Sequence, residues 1–103
     1  MKGYKTQEEI KNMSSSQLVS WFMMASYAYY VLGKPVMEDP SFDYLVQRLK
    51  ECYDEVKHIH KNYITKEHLD AGTGYDIHYP MMAKGATIHY LKESGLWNLY
   101  LDQ

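Results

Sequence analysis

Cysteine, proline and glycine are scarce in this chain of 103 residues, which has 1 cysteine, 3 prolines and 6 glycines. The single thiol, Cys52, excludes an internal disulfide and indicates a reducing compartment such as the cytoplasm. No run approaches the roughly 20 apolar residues of a membrane-spanning helix, and residues 1–13 lack the apolar segment of a signal peptide. We therefore expect a cytoplasmic protein, bacterial or in an infected host cell, with no membrane partner.

An excess of positive charge is also missing. Lysine and arginine total 11 against 13 aspartate and glutamate residues, which gives a formal net charge of −2. Domains that bind phosphate backbones usually carry the opposite sign. The composition therefore argues against nucleic acid as a direct partner.

Motifs for dinucleotide phosphates, zinc and nucleophilic catalysis are absent as well. Gly72-x-Gly74 lacks the third glycine of a dinucleotide-binding fingerprint, which favours an ordinary turn. His58 and His60 are two positions apart and would lie on different sides of a helix, whereas structural zinc takes four ligands. Cys52 falls in an apolar stripe, which favours an inert thiol over a nucleophile. We expect no metal site and no catalytic residue.

The chain does have clear helix signals. Thr6 and Glu9 have the spacing of a capping box and predict a short helix over 7–13. A cluster of three serines then precedes an apolar run without glycine or proline, and Gly33 follows that run. This pattern predicts one long helix over 16–32.

A second long helix is predicted over 40–59, because Asp39 can serve as its N-cap and Pro40 fits its first turn. Both long helices have apolar residues at steps of three and four, and a short connection joins them. We therefore expect an antiparallel helical hairpin in which little of the first helix faces water. The expected core positions are Leu18, Val19, Trp21, Phe22, Met23, Ala25, Ala28, Tyr29, Tyr30 and Leu32 in the first helix, and Phe42, Leu45, Val46, Leu49, Cys52 and Val56 in the second.

The remainder of the chain has weaker signals. A short helix can begin near 65–68, residues 72–80 have the composition of a loop, and a final helix is predicted over 81–93. The length allows one compact domain. The prediction is a single all-α domain, in which residues 60–103 form an extension of unknown role.

The most distinctive residues flank the connection between the two long helices. Tyr29 and Tyr30 close the first helix, and the second begins with Asp39, Phe42 and Asp43. The two aspartates share one helix face because they are four positions apart, and Phe42 lies one step round. Opposite the tyrosines they would form a small cleft with aromatic walls and an acidic rim. Such a cleft suits a flat cationic ring that carries a sugar, because aromatic faces attract cations and carboxylates accept hydrogen bonds from hydroxyl and amide groups.

Each of these residues also has a purely structural interpretation. Asp39 is explained by N-capping, Asp43 by the helix dipole, and the aromatic residues by packing. Their combined order along the chain is what favours a binding site.

That order resembles the N-terminal Ia domain of NAD-dependent DNA ligases, over about residues 18–56. The family has an aromatic pair followed by valine, a proline-containing turn, an aspartate, two residues, a tyrosine or phenylalanine, and a second aspartate. The resemblance implies a helical domain that closes over the nicotinamide mononucleotide half of NAD. It assigns the nicotinamide nucleoside to Tyr29, Asp39, Phe42 and Asp43, and it places Tyr30 where some members have a histidine near the phosphate.

The chain also departs from that family. The Lys-x-Asp-Gly motif, whose lysine takes the AMP, is missing, and Lys84-Gly85-Ala86 is the nearest string. The oligonucleotide-binding fold, the zinc finger and the later domains of the family have no counterpart here. Gly33 stands where the family often has aspartate.

Three functions follow as alternatives. The first is a non-catalytic module that binds nicotinamide mononucleotide or the same half of NAD. The second is a subunit of a split NAD-dependent ligase, active only with a separate adenylation-domain subunit. The third is a phage interaction protein that uses this fold to bind a host ligase or another host protein.

Overall fold

The computed structural model describes residues 4–55, Ile64, His68 and residues 79–97 of the chain. All regular secondary structure within this part of the chain is helical, which confirms the predicted all-α fold. Its α-helices are α1 (Gln7–Lys11), α2 (Ser15–Ser26), α3 (Asp39–Cys52) and α4 (Met81–Glu93). A π-helical segment, Tyr27–Leu32, continues α2 directly, and one 3₁₀ turn, Tyr53–Glu55, follows α3.

Two consecutive capping boxes define the N-terminal part of the fold. The Thr6 hydroxyl accepts a hydrogen bond from the Glu9 amide at 3.2 Å, and the Thr6 amide donates to the Glu9 carboxylate at 3.0 Å. Ser14 and Gln17 repeat this arrangement at the start of α2, with distances of 3.3 and 2.9 Å. The box predicted for α1 is therefore confirmed. Ser14 is the N-cap of α2, so this helix begins at Ser15, one residue earlier than predicted.

Helix α3 packs against α2 in the antiparallel orientation that the hairpin requires. Near the start of α3, the Phe42 ring stacks on Phe22 with centroids 5.7 Å apart. Further along α3, the Arg48 guanidinium donates to the carbonyl oxygens of Ile10 at 2.8 Å and Met13 at 3.4 Å, just before α2 begins. The two helices therefore run in opposite directions, and Arg48 holds the end of α1 against α3.

Helix α4 packs on a second face of α2 and belongs to the same core. The Thr87 hydroxyl is buried and donates to the Ala83 carbonyl at 2.7 Å. The Trp21 and Tyr90 rings meet edge to face, with centroids 4.9 Å apart. The predicted helix over 81–93 is thus confirmed. The buried apolar cluster that joins these helices includes Ile10, Leu18, Val19, Phe22, Met23, Ala28, Leu45, Leu49, Leu91 and Leu96.

The start of α3 differs from the prediction. The N-cap is Glu38, whose side chain makes no capping hydrogen bond, and Asp39 is already helical. The prediction that Asp39 is the N-cap is therefore wrong by one residue. Proline causes this ambiguity, because the first four amides of a helix have no intrahelical acceptor and Pro40 is tolerated at more than one of these positions.

The end of the first long helix also differs from the prediction. From Tyr27 onward its backbone is π-helical, and it ends at Gly33, whose φ of 65° is left-handed. The Lys34 amide closes this end by donating to the Ala28 carbonyl at 2.8 Å. Tyr29 and Val31 are 52% and 55% exposed, so the expectation that Tyr29 lies in the core is wrong.

Other sequence predictions fall partly outside the described residues. Helix α3 ends at Cys52, and the predicted continuation over 56–59, with Val56, is not described. The same holds for most of the predicted helix at 65–68 and most of the predicted loop over 72–80. No helix of the described part of the chain is long and apolar enough to cross a membrane.

Candidate functional site

A pocket of about 250 Å³ lies where the π-helical segment, the connection after Gly33 and the start of α3 meet. All five residues singled out from the sequence line it. Four further residues, which were not among the predicted ones, complete the described lining. The predicted residues are Tyr29, Tyr30, Asp39, Phe42 and Asp43, and the additional ones are Ala25, Pro35, Val36 and Met37.

The floor of the pocket is part of the hydrophobic core. Ala25, Val36 and Met37 are buried and belong to the same apolar cluster as α2 and α3. The Lys5 amide donates to the Val36 carbonyl at 2.8 Å, which ties the connection to the N-terminal segment. Two apolar residues directly after Pro35 were the available signal for this floor. A position in a turn gave no indication that their side chains fold inward.

Aromatic rings form the walls. Tyr29 and Tyr30 meet edge to face, with centroids 4.8 Å apart and planes at 86°. Phe42 is half-buried and its ring is fixed from behind by Phe22. The Tyr29 and Tyr30 rings stand at right angles to each other. A flat ligand can therefore stack on the face of one ring while the edge of the other ring points at the ligand.

Two carboxylates form the rim. Asp39 is the first residue of α3 and Asp43 follows one turn later, and both are exposed. Within the described residues, neither carboxylate has a hydrogen bond or an ion pair. Their acceptor oxygens are therefore available to a ligand.

Two lysines whose backbone adjoins the pocket lining, Lys34 and Lys5, direct their ammonium groups elsewhere. Lys34 adjoins the lining residue Pro35, but its Nζ lies 5.1 Å from the centroid of the Trp97 ring. Lys5 has its Nζ 4.4 Å from the Trp21 centroid and 3.4 Å from the Glu9 carboxylate. Over residues 4–55, 64, 68 and 79–97, the lining contains no lysine, arginine or histidine.

The remaining candidates for chemistry lie away from this pocket. Burial raises the pKa of the half-buried Cys52 thiol, although the charge of Arg48 acts in the opposite direction. The raised pKa disfavours the reactive thiolate. Lys84 belongs to α4, which contributes no residue to the pocket lining. His58, His60 and Gly72-x-Gly74 lie outside the described residues. Among those described, no group of three or more histidine, cysteine or acidic side chains is arranged to hold a metal ion.

The arrangement as a whole is suited to binding. Its rings can stack on a planar ligand, and its carboxylates can accept hydrogen bonds and attract a cation. The volume of about 250 Å³ is below the roughly 300–1,000 Å³ of typical ligand pockets, so it suits a single ring with a sugar better than a dinucleotide. Comparison of the chain with protein-family models, curated proteins and solved structures finds no match.

Proposed function

We propose that this protein is a non-catalytic module that binds the nicotinamide mononucleotide half of NAD, similar to the Ia domain of NAD-dependent DNA ligases. One observation carries the proposal. Tyr29, Tyr30, Asp39, Phe42 and Asp43 were selected by their order along the chain, and the same residues line one pocket. Exposed neighbours along the same stretch of chain, such as Val31 and Glu38, are not part of that lining.

The chemistry of the pocket supports a pyridinium ligand. The nicotinamide ring of oxidised NAD is flat and positively charged, and aromatic faces attract such a ring. The carboxylates of Asp39 and Asp43 can accept hydrogen bonds from ribose hydroxyl groups and from the carboxamide. The negative charges of the same carboxylates also attract the positively charged ring.

The binding is expected to be weak. The pocket is open and small. The sequence also has no motif for a second site that would bind the AMP half of NAD. Joining two weak sites can strengthen binding by ~10²–10⁴-fold, and a single site lacks that gain. A millimolar dissociation constant, about −4 kcal/mol, is therefore the expected scale.

An NMR titration of the whole chain tests the proposal. Nicotinamide mononucleotide should shift the signals of the five predicted lining residues, and AMP should leave them unchanged because it lacks the cationic ring. Asp43→Ala should weaken the binding while costing the helix only ~0.3–1 kcal/mol of dipole interaction. Glu93→Ala is the matched control, since this exposed carboxylate lies on α4, outside the pocket. A titration to several millimolar that moves no pocket signal would refute the proposal.

The absence of catalysis is tested separately. After incubation with NAD and magnesium, mass spectrometry should detect no covalent AMP, because the sequence lacks the Lys-x-Asp-Gly motif and the described part of the pocket lining contains no lysine. A mass gain of one AMP would contradict the assignment as a binding module.

A protein partner is the second candidate, and exposed apolar side chains favour it. Val31 is 55% exposed in the π-helical segment, and Met81 and Met82 are 80% and 69% exposed at the start of α4. An adenylation-domain subunit or a host ligase is the partner that the resemblance implies. Adding the chain to an NAD-dependent ligase that lacks its own Ia domain should then restore self-adenylylation, and no gain over buffer would exclude the split-ligase form of this candidate.

A further inference from the structure

Among the described residues, the pocket offers no cationic partner to the phosphate of a mononucleotide. None of their basic side chains contributes to the lining, whereas Asp39 and Asp43 place two carboxylates on its rim. Lys34 is held against the Trp97 ring, and the Lys5 ammonium lies between Trp21 and the Glu9 carboxylate. A phosphate bound here would therefore lie near negative charge, and no cationic side chain of the described lining offsets that charge.

The N-terminus of α3 does not supply that compensation. Helix N-termini attract phosphate through free amide groups and the helix dipole. Here the first turn already contains the Asp39 carboxylate, Pro40 has no amide hydrogen, and the exposed N-cap Glu38 adds a further negative charge. The local charge at this helix end is thus opposite to that of a phosphate site.

We infer that the pocket selects a pyridinium nucleoside without a phosphate, so that nicotinamide riboside binds more tightly than nicotinamide mononucleotide. This inference rests on the proposed function and specifies its ligand class. The riboside carries only the positive charge of the ring, whereas the mononucleotide adds a phosphate of about −1.5 to −2 charges at neutral pH. The rim carboxylates attract the former and repel the added phosphate of the latter.

The size of the preference follows from Coulomb's law. One pair of unit charges about 4 Å apart in water changes an equilibrium constant by about five-fold. Because the phosphate faces two exposed carboxylates at larger and partly screened separations, we expect about five-fold tighter binding of the riboside at low ionic strength. At about 1 M salt, where the screening length falls to about 3 Å, the preference should largely disappear.

Parallel NMR titrations of the whole chain with the two ligands, at about 0.01 M and about 1 M salt, test this. Salt should weaken binding of the riboside and should strengthen binding of the mononucleotide relative to it. The neutral dihydronicotinamide riboside keeps the sugar and the ring size without the charge, so it should bind more weakly than the oxidised riboside at low salt.

Variants identify the source of the preference. In the double variant Asp39→Asn with Asp43→Asn, the ratio of the two dissociation constants should fall from about five to about one. The double variant Glu51→Gln with Glu93→Gln removes the same charge from exposed positions that do not line the pocket and should keep the ratio. An unchanged set of core methyl signals checks that each variant is folded.

The possible outcomes separate this inference from the proposed function. A riboside preference that disappears with salt and with the asparagine variants supports it. Equal or tighter binding of the mononucleotide overturns the inference and leaves the nicotinamide site in place. If neither ligand shifts a pocket signal, the proposed function and this inference are both refuted.

Discussion

Removing the Tyr29 ring tests whether the aromatic wall contributes to binding. Its side chain is 52% exposed, and its ring meets the Tyr30 ring edge to face with centroids 4.8 Å apart. An aromatic pair of this kind contributes ~0.5–1.5 kcal/mol beyond its buried area. Leucine keeps apolar volume at the position, so Tyr29→Leu should lower the free energy of unfolding by only about 1 kcal/mol, and the domain should remain folded.

The expected effect on binding follows from the exposure of the same ring. A cation over an aromatic face gains ~0.5–1 kcal/mol at an exposed site and ~2 kcal/mol when water is excluded. Tyr29 lies between these limits, so Tyr29→Leu should cost about 1 kcal/mol, or about a five-fold weaker affinity for nicotinamide riboside. Tyr29→Phe retains the ring face and should change the affinity less than about two-fold.

The assay compares dissociation constants of both variants for the oxidised and the dihydro riboside. The loss in Tyr29→Leu should be larger for the oxidised ligand than for the dihydro ligand, since both lose ring contact but only the oxidised ligand has a charged ring. If Tyr29→Phe weakens binding as much as Tyr29→Leu, the hydroxyl and not the ring face makes the contact. If Tyr29→Leu binds like the native protein, the aromatic wall has no part in recognition, and the reasoning that led to a pyridinium ligand is wrong.

Other predictions concern the fold that supports the pocket. Arg48→Met should lower the free energy of unfolding in urea by ~1.5–3 kcal/mol, because the guanidinium donates to three carbonyl oxygens at the end of α1; a loss below ~0.5 kcal/mol would contradict that role. Gly33→Ala should destabilise by ~1–2 kcal/mol through its left-handed φ of 65°. By contrast Gly85→Ala, at a helical position with equally open space, should stabilise by ~0.5–1 kcal/mol, and effects of the same sign would refute the comparison. The pKa of Glu9 is lowered, mainly by the hydrogen bond from the Thr6 backbone amide and also by the charge of Lys5, while burial acts in the opposite direction. The stability that Glu9 contributes is therefore complete above its ordinary pKa of 4.5 and is lost as pH falls through the lower pKa of the folded state. Glu9→Gln keeps the capping box and should flatten this part of the acid unfolding profile; an unchanged profile would assign it to other carboxylates.

Local signals made several of the helix boundaries predictable. The capping box at Thr6, the serine before α2 and the left-handed Gly33 are each decided by hydrogen bonds or sterics within a few residues. The residues that make these interactions are neighbours along the chain, so tertiary packing does not change them. For the same reason the five pocket residues could be selected, since their order flanks one short connection.

Non-local packing decided what the sequence could not predict. The π-helical turn at Tyr27–Leu32 depends on a shift from i,i+4 to i,i+5 hydrogen bonding, and an apolar stripe over so few residues fits both patterns. The floor residues Val36 and Met37 are buried because the connection folds back, and the Val36 carbonyl accepts a hydrogen bond from the Lys5 amide. The residues next to them in the sequence do not indicate this contact. The rim and walls of the pocket were therefore predictable from the sequence, and its floor was not.

The division between rim and floor determines which variants can report on binding. Tyr29, Asp39 and Asp43 are exposed and their removal costs the fold little, so a loss of affinity in their variants reflects the lost contact. Phe42 is different, because it lines the pocket and also stacks on the fully buried Phe22. Truncating Phe42 would loosen the contact between α2 and α3 and move both helix ends that carry the other site residues. A binding defect in Phe42→Ala would thus combine a lost ligand contact with a displaced rim, and only the exposed positions can separate recognition from stability.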